Sequence, residues 1–345
     1  MFIRKTFFFS LPVLLILIFP ADRLHAVTIL KMNHQFPDDT AGSRIDQWFC
    51  DQIKSETGGK IEIRIFWSNG LADPKENLEL LKTGKIDMAA MSSGYFSSEM
   101  PFFSAPNSIP MGMDNICQAS EIMKKLMDTI PAFTEEASKN RIHPLFFHLL
   151  NPYLLVTKKP VLKFSDLEGK RIRTWGNDMP RLIEAAKAKP VPLFLPDIYS
   201  AMKMGVIDGC PFSVDLVVSY KIYELAPHIT EVVLWEGPGW GIWISDNIWK
   251  TLALDVQTVF TKTAQLARQK ELKSTLAAAK EAKKFLLQNK VRFHSFPDRE
   301  LAKWRDANPD FFSDFISRMA RQGKEDDAKQ MVDIWKNLRK EPKCE

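Results

Sequence analysis

The feature that most narrows the fold is a short pattern that occurs twice. Lys82-Thr83-Gly84-Lys85-Ile86-Asp87 and Lys203-Met204-Gly205-Val206-Ile207-Asp208 both read K-x-G-x-I-D. Each copy ends a helical stretch, and Gly just past a helix can take the left-handed cap conformation. Each then leads into a short apolar strand. A helix that stops on Gly and turns into a buried strand is an α/β element. Two copies placed alike predict two related α/β lobes.

The surrounding periodicity agrees. Residues 27–32 read as a buried strand. Residues 41–57 read as a helix, with Ile45, Trp48, Phe49 and Ile53 at helical spacing and Gly58-Gly59 as its stop. Residues 60–67 alternate polar and apolar, a strand signature. A helix over 74–83 and a strand over 86–91 complete the first block. The second block has strands at 142–147, 153–157 and 170–174, helices at 180–188 and 196–204, and a strand led by Val206-Ile207. Residues 255–290 read as one helix, far longer than the about 11–12 residues usual in globular domains. A helix of that length can bridge two lobes.

The N-terminus stands apart. Arg4 and Lys5 precede an almost unbroken apolar run from Phe7 to Ile18, and Leu24-His25-Ala26 supplies a small residue at its end. That is the layout of a secretory signal peptide over 1–26, cut near Ala26. The run is shorter than the roughly 20 residues a spanning helix needs. What remains is longer than one core usually serves, so two lobes are expected again. The net charge of +5 is mild and dispersed. It gives no basic stripe of the kind that binds nucleic acid.

Four cysteines occur, Cys50, Cys117, Cys210 and Cys344, none at zinc or redox spacing. Export permits a disulfide. Cys50 with Cys117 is the expected pair, with four free thiols as the alternative. No nucleophile elbow, phosphate loop, dinucleotide fingerprint or zinc-protease motif is present. His34, His143, His148, His228 and His294 are scattered. No catalytic set, metal or cofactor is expected. Aromatics are abundant, with 24 Phe and 9 Trp. Trp67, Trp175, Trp240 and Trp243 suit a pocket, being large and carrying a donor.

Longer motifs carry a resemblance. D-L-E-G-K-R-I-R-T (166–174), P-V-P-L (190–193) and D-I-Y-S-A-M-K-M-G-V-I-D-G (197–209) follow one another. Before them come E-T-G-G-K-I-E-I-R-I-F (56–66), N-G-L-A-D (69–73) and L-L-K-T-G-K-I-D-M (80–88); after them comes Y-K-I-Y-E-L-A-P (220–227). In this order they resemble the TRAP transporter solute-binding proteins of the DctP type. The resemblance implies an α/β, two-lobed periplasmic binding protein fold with interlobe strands and a long bridging C-terminal helix. Lobe I would take 27–150 plus about 239–278, and lobe II 151–238 plus about 279–345. It implies a monomeric periplasmic protein, not an enzyme. Such a protein captures a small organic carboxylate and passes it to membrane subunits energised by an ion gradient. An exported hydrolase with scattered carboxylates and a ligand-presenting sensor subunit are the rival readings.

The resemblance also names residues. The Arg ending G-x-x-I-R, here Arg173, is the one that binds the ligand carboxylate. A guanidinium matches a carboxylate bidentately and stays charged where water is excluded. Sialic-acid-binding members place a second Arg where Tyr153 stands. They also carry Asn where Phe212 stands in D-G-C-P-F-S. The pocket has thus exchanged polarity for apolar surface, which favours an aromatic, branched-chain or 2-oxo monocarboxylate. Gln35, Ser92, Ser93 and Tyr95 follow strands at the ends where ligands of open α/β sheets bind. Trp240, in Gly-Pro-Gly-Trp, falls on an expected interlobe strand. Trp175 and Trp67 complete the candidate ligand-binding residues.

Overall fold

The computed structural model describes residues 27–340 and Phe2. The expected signal peptide and its cut near Ala26 otherwise lie outside the described residues. Eleven strands follow one another among the described residues. They are β1 (Thr28–His34), β2 (Ile61–Phe66), β3 (Met88–Met91), β4 (Ile142–Leu149), β5 (Tyr153–Thr157), β6 (Arg171–Thr174), β7 (Lys189–Pro192), β8 (Gly209–Phe212), β9 (His228–Trp235), β10 (Pro238–Ser245) and β11 (Arg292–Ser295).

These strands make two sheets of one design. The first has the order β2-β1-β3-β10-β4 and the second β7-β6-β8-β5-β9-β11. In the first, β2, β1 and β3 are parallel, and β10 runs antiparallel to both β3 and β4. In the second, β7, β6 and β8 are parallel, and β5 runs antiparallel to both β8 and β9. The chain crosses between sheets from β4 to β5 and returns from β9 to β10. Each sheet therefore takes its antiparallel strand from a crossing.

The repeated motif explains the likeness. Gly84 and Gly205 hold φ of +70° and +74°, the left-handed cap each helix needs to stop. The Asp that ends each copy then clamps the neighbouring strand. Asp87 Oδ2 accepts from Lys31 N at 2.8 Å, and Asp208 Oδ2 accepts from Arg171 N at 2.9 Å. The same carboxylate position sets the register of β3 against β1 and of β8 against β6. The strands that follow, Met88–Met91 and Gly209–Phe212, are buried throughout.

The long helix, Leu254–Gln288, packs on the Ala41–Glu56 helix and β4 and also on the Val214–Ser219 helix. It thus touches both halves. Its Glu271 Oε1 accepts from Leu149 N at 2.9 Å, and its Thr275 O accepts from Asn151 Nδ2 at 2.9 Å. Both bonds hold the first crossing. The second crossing turns on Gly237, whose φ is +148°. A Cβ there would lie 2.8 Å from the Pro106 side chain, so only Gly fits. The C-terminal helices also reach both halves. Trp304 Nε1 donates to Leu182 O at 3.0 Å, and Trp335 Nε1 donates to Gly112 O at 2.9 Å. No helix among the described residues is long and apolar enough to cross a membrane.

The cysteines differ from expectation. Cys50 and Cys210 are buried free thiols, while Cys117 is disulfide-bonded. The Cys50–Cys117 bridge is therefore not formed, nor are all four thiols free. Cys50 lies on the inward face of the Ala41–Glu56 helix, and burial pushes its thiol well above the ordinary range. It packs as a small apolar residue. Pairing depends on matched Cβ positions, which spacing in sequence does not reveal.

Candidate ligand-binding site

A small cavity lies where the two sheets face each other. Arg173 and Trp175 come from the C-terminal end of β6 and Gln35 from the end of β1. Ser92 and Tyr95 follow β3. The ends of parallel strands are where an open α/β sheet presents backbone and side chains to a ligand. Tyr153 opens β5 and Trp235 closes β9, so both stand at the crossings, beside Leu150 and Gly239. Asn107 and Leu195 complete the wall.

Arg173 is 2% exposed. Its Nε donates to Leu193 O at 3.1 Å, and its guanidinium carbon stands 4.3 Å from the centre of the Trp175 ring. No Asp or Glu among the described residues forms an ion pair with it. Burial pushes the Tyr95 and Tyr153 hydroxyls up from the ordinary phenol range, with the Arg173 charge pulling the other way. Both phenols therefore stay neutral beside a buried cation.

The two halves meet around this cavity. Trp175 Nε1 donates to Asn107 Oδ1 at 2.6 Å, and Asn177 Nδ2 donates to Ser97 Oγ at 2.9 Å. Tyr95 and Phe194 meet edge to face with centroids 4.8 Å apart. The cleft is closed. Two lining donors have no partner among the described residues: Gln35 Nε2 and Trp235 Nε1.

Of the residues expected from sequence, Gln35, Ser92, Tyr95, Tyr153, Arg173 and Trp175 line the cavity. Five others lie elsewhere, among them Trp243, whose Nε1 donates to Met91 O at 3.2 Å. Ser93 Oγ is turned to Phe103 O, to which it donates at 2.9 Å. Phe212 packs edge to face against Tyr153, 5.7 Å between centroids, as a layer outside the lining. Trp67 lies against His34 at 4.4 Å. Trp240 stacks on His148 at 4.2 Å and donates from Nε1 to Asp46 Oδ2 at 3.1 Å. Asn107, Leu150, Leu195, Trp235 and Gly239 line the cavity without having stood out in the sequence. Trp235, at the end of an apolar strand, carried the one usable signal.

The cluster that holds Trp240 is itself unusual. Asp46 accepts from His34 Nε2 at 2.8 Å and from His148 Nε2 at 2.7 Å, all three being fully buried. Burial disfavours charge on His148, but Asp46 and Glu271 outweigh it and raise its pKa to about 9. Burial likewise works against the Asp46 carboxylate, yet the two histidines hold it below the ordinary range. Among the described residues no group of His, Cys, Asp and Glu is arranged to hold a metal.

Comparison with known proteins closes the question of kind. The model of the bacterial extracellular solute-binding protein family 7, DctP, matches residues 32–318. The ectoine-binding periplasmic protein TeaA of Halomonas elongata is 21% identical over 81% of this chain and 82% of its own. DctP6 of Bordetella pertussis, an extracytoplasmic solute receptor binding pyroglutamic acid, superposes with a TM-score of 0.82 at 16% identity. That match covers 90% of this chain and all of the other. A TRAP periplasmic solute binding protein from Desulfovibrio salexigens with bound orotic acid gives 0.81 at 17% identity, over 90% and 99% of the chains. At such identities the structures establish the fold, and the family match establishes the kind of protein. The chain is a TRAP-type solute-binding receptor for small organic acids, not an enzyme, and it belongs to the bacterial extracellular solute-binding protein family 7.

Proposed function

We propose that this receptor captures a small aromatic or apolar monocarboxylate, including 2-oxo acids, in the periplasm. It then hands the acid to the membrane subunits of a TRAP transporter. One observation carries the reading: Arg173 is buried at 2% exposure with no carboxylate of the described residues against it. An unpaired buried charge is costly, and a protein keeps one only where something else supplies the counterion. A ligand carboxylate does so, and the guanidinium fork gives it two parallel bonds.

The rest of the cavity bounds the ligand. Among the described residues Arg173 is the only charged side chain lining it. A second carboxylate would be buried without a partner, so a monocarboxylate is favoured over a dicarboxylate. The rings of Tyr153, Trp175 and Trp235 and the side chains of Leu150 and Leu195 offer apolar faces to the ligand body. The ligands named for two structural relatives, pyroglutamic acid and orotic acid, carry one carboxylate each.

Capture follows from closure. Lobe I, 27–150 plus about 239–278, and lobe II, 151–238 plus about 279–345, move about the crossings and the long helix. The closed form is favoured by as much as the ligand prefers it. Segment 1–26 serves export and is removed near Ala26, and the working unit is a monomer. The test is thermal unfolding of residues 27–345 against a panel of organic acids, beside Arg173→Met. Ligand at 100 times its dissociation constant stabilises by about 2.7 kcal/mol. Small monocarboxylates are expected to raise the melting temperature of the native protein and not of the variant. Selective stabilisation by dicarboxylates or sugar acids would sink the reading.

A further inference from the structure

The two unpartnered donors of the cavity say something about the ligand beyond its carboxylate. Gln35 is 2% exposed and lies in lobe I; Trp235 is equally buried and ends β9 in the other sheet. The Gln35 carboxamide is oriented by its own bond, because Oε1 accepts from Ser92 N at 2.8 Å. Turning the amide over would set its NH2 against that N–H, so Nε2 is fixed as the free donor. Trp175 cannot relieve the shortage, since its Nε1 is already spent on Asn107. Gln35 Nε2 and Trp235 Nε1 are thus left with protons and no acceptor. Leaving buried donors unmade costs more than making them returns.

We propose that the bound acid carries, besides its carboxylate, a neutral carbonyl oxygen that Gln35 Nε2 and Trp235 Nε1 receive. This rests on the reading of Arg173 as the carboxylate anchor. A carbonyl has two lone pairs and no proton of its own. It can accept from one donor of each lobe and brings no new donor to be satisfied. A hydroxyl in the same place would bring a proton that needs its own acceptor. A second carboxylate would bring a charge that no other cation in the lining can meet. The substrate class is therefore a small 2-oxo or lactam-type monocarboxylate. Because the donors come from opposite lobes, the carbonyl also bridges the closed cleft. A site built around such a donor discriminates strongly against the analogue that lacks the acceptor.

The experiment uses matched pairs measured by calorimetry on residues 27–345. 2-Oxobutyrate is set against butyrate, the 2-oxo acid of leucine against 4-methylpentanoate, and pyroglutamate against cyclopentanecarboxylate. The native protein is expected to favour the carbonyl member of at least one pair by about tenfold or more, the cost of unmade buried bonds. In Gln35→Met and in Trp235→Phe, each checked for a native unfolding curve, that ratio should fall toward one. In Arg173→Met both members of the pair should weaken together. Equal binding of both members by the native protein would overturn the proposal while leaving the carboxylate reading intact. So would a ratio that neither donor variant changes, since the donors would then serve the carboxylate or the fold. If no acid of any pair binds the native protein, both readings fall.

Discussion

Two charged side chains are hidden almost equally well in this molecule, and they differ in company. Asp46 is fully buried in lobe I, and His34, His148 and Trp240 all donate to its carboxylate. Arg173 is 2% exposed between the lobes and has a backbone carbonyl, an aromatic face and no acid. A buried charge answered by the protein is part of the structure. A buried charge left unanswered is a place kept for something that comes and goes. The difference separates fold from function here more sharply than residue type does, since each centre mixes ionisable groups with tryptophan.

The largest expected effect breaks the first member of the pair. Asp46→Ala would leave His148, and the donors of His34 and Trp240, buried without their acceptor. Removing one partner of a buried ion pair costs about 3–5 kcal/mol. Denaturant unfolding should show that loss. A change under about 1 kcal/mol would mean that the cluster is less charged than its geometry implies.

Arg173→Met breaks the second member and should act the other way. It removes an uncompensated buried charge, so the ligand-free protein should be no less stable than the native one. Binding should lose about 2–5 kcal/mol, the usual cost of truncating one partner of a buried charge pair. Calorimetry and unfolding curves on the same sample separate the two. If Arg173→Met destabilises as strongly as Asp46→Ala, the comparison collapses and Arg173 is a structural residue.

pH sharpens the contrast. The folded protein holds the proton on His148 to about pH 9, above the ordinary histidine range. Its contribution is complete below about pH 6.5 and drains away as pH rises through about 9. Glu271 works in the same direction. Burial raises its pKa against the pull of His148, so the folded state is disfavoured as pH climbs past the ordinary carboxylate range. The melting temperature should therefore fall between about pH 6.5 and 9, and the slope should flatten in His148→Gln. A native curve that is level over this window would remove the charged histidine from the account.

Much of this was legible in the sequence, for reasons that are local. The K-x-G-x-I-D copies announced two sheets because a left-handed Gly and a clamping Asp act within a few residues of their strand. Arg173 was named by the motif it ends, Tyr153 by the second Arg that similar proteins carry in its place, and Gln35, Tyr95 and Trp175 by their places at strand ends. What escaped notice was set by the crossings. Trp240 and Trp235 are near neighbours in the chain, yet they belong to different sheets. The register of β10 against β4 pairs Trp240 with His148 and turns it into lobe I. The register of β9 against β5 pairs Trp235 with Tyr153, beside the ligand. Leu150 and Gly239 reach the cavity only because two crossings pass side by side; a Cβ on Gly239 would lie 2.3 Å from Leu150. None of that follows from periodicity. Nor did spacing reveal which way the buried thiol of Cys50 points.

The smallest effect concerns what joins the two regions when the cleft shuts. Trp175 Nε1 donates to Asn107 Oδ1 at 2.6 Å across the lobes, while the same ring lies under Arg173. Trp175→Phe keeps an aromatic face for the guanidinium and removes the donor. A net hydrogen bond is worth about 1 kcal/mol, so ligand affinity should fall about fivefold, chiefly through faster release from a less favoured closed state. Asn107→Ala should weaken binding to a similar degree, and the double variant little further, because both changes delete one bond. The global unfolding free energy should move less than in Asp46→Ala, since the bond holds one lobe to the other and neither core together. Stopped-flow release rates test this directly. Full additivity of the two changes would mean that Trp175 and Asn107 act on the ligand separately, and the closed cleft would then depend on the ligand and the Asn177–Ser97 contact.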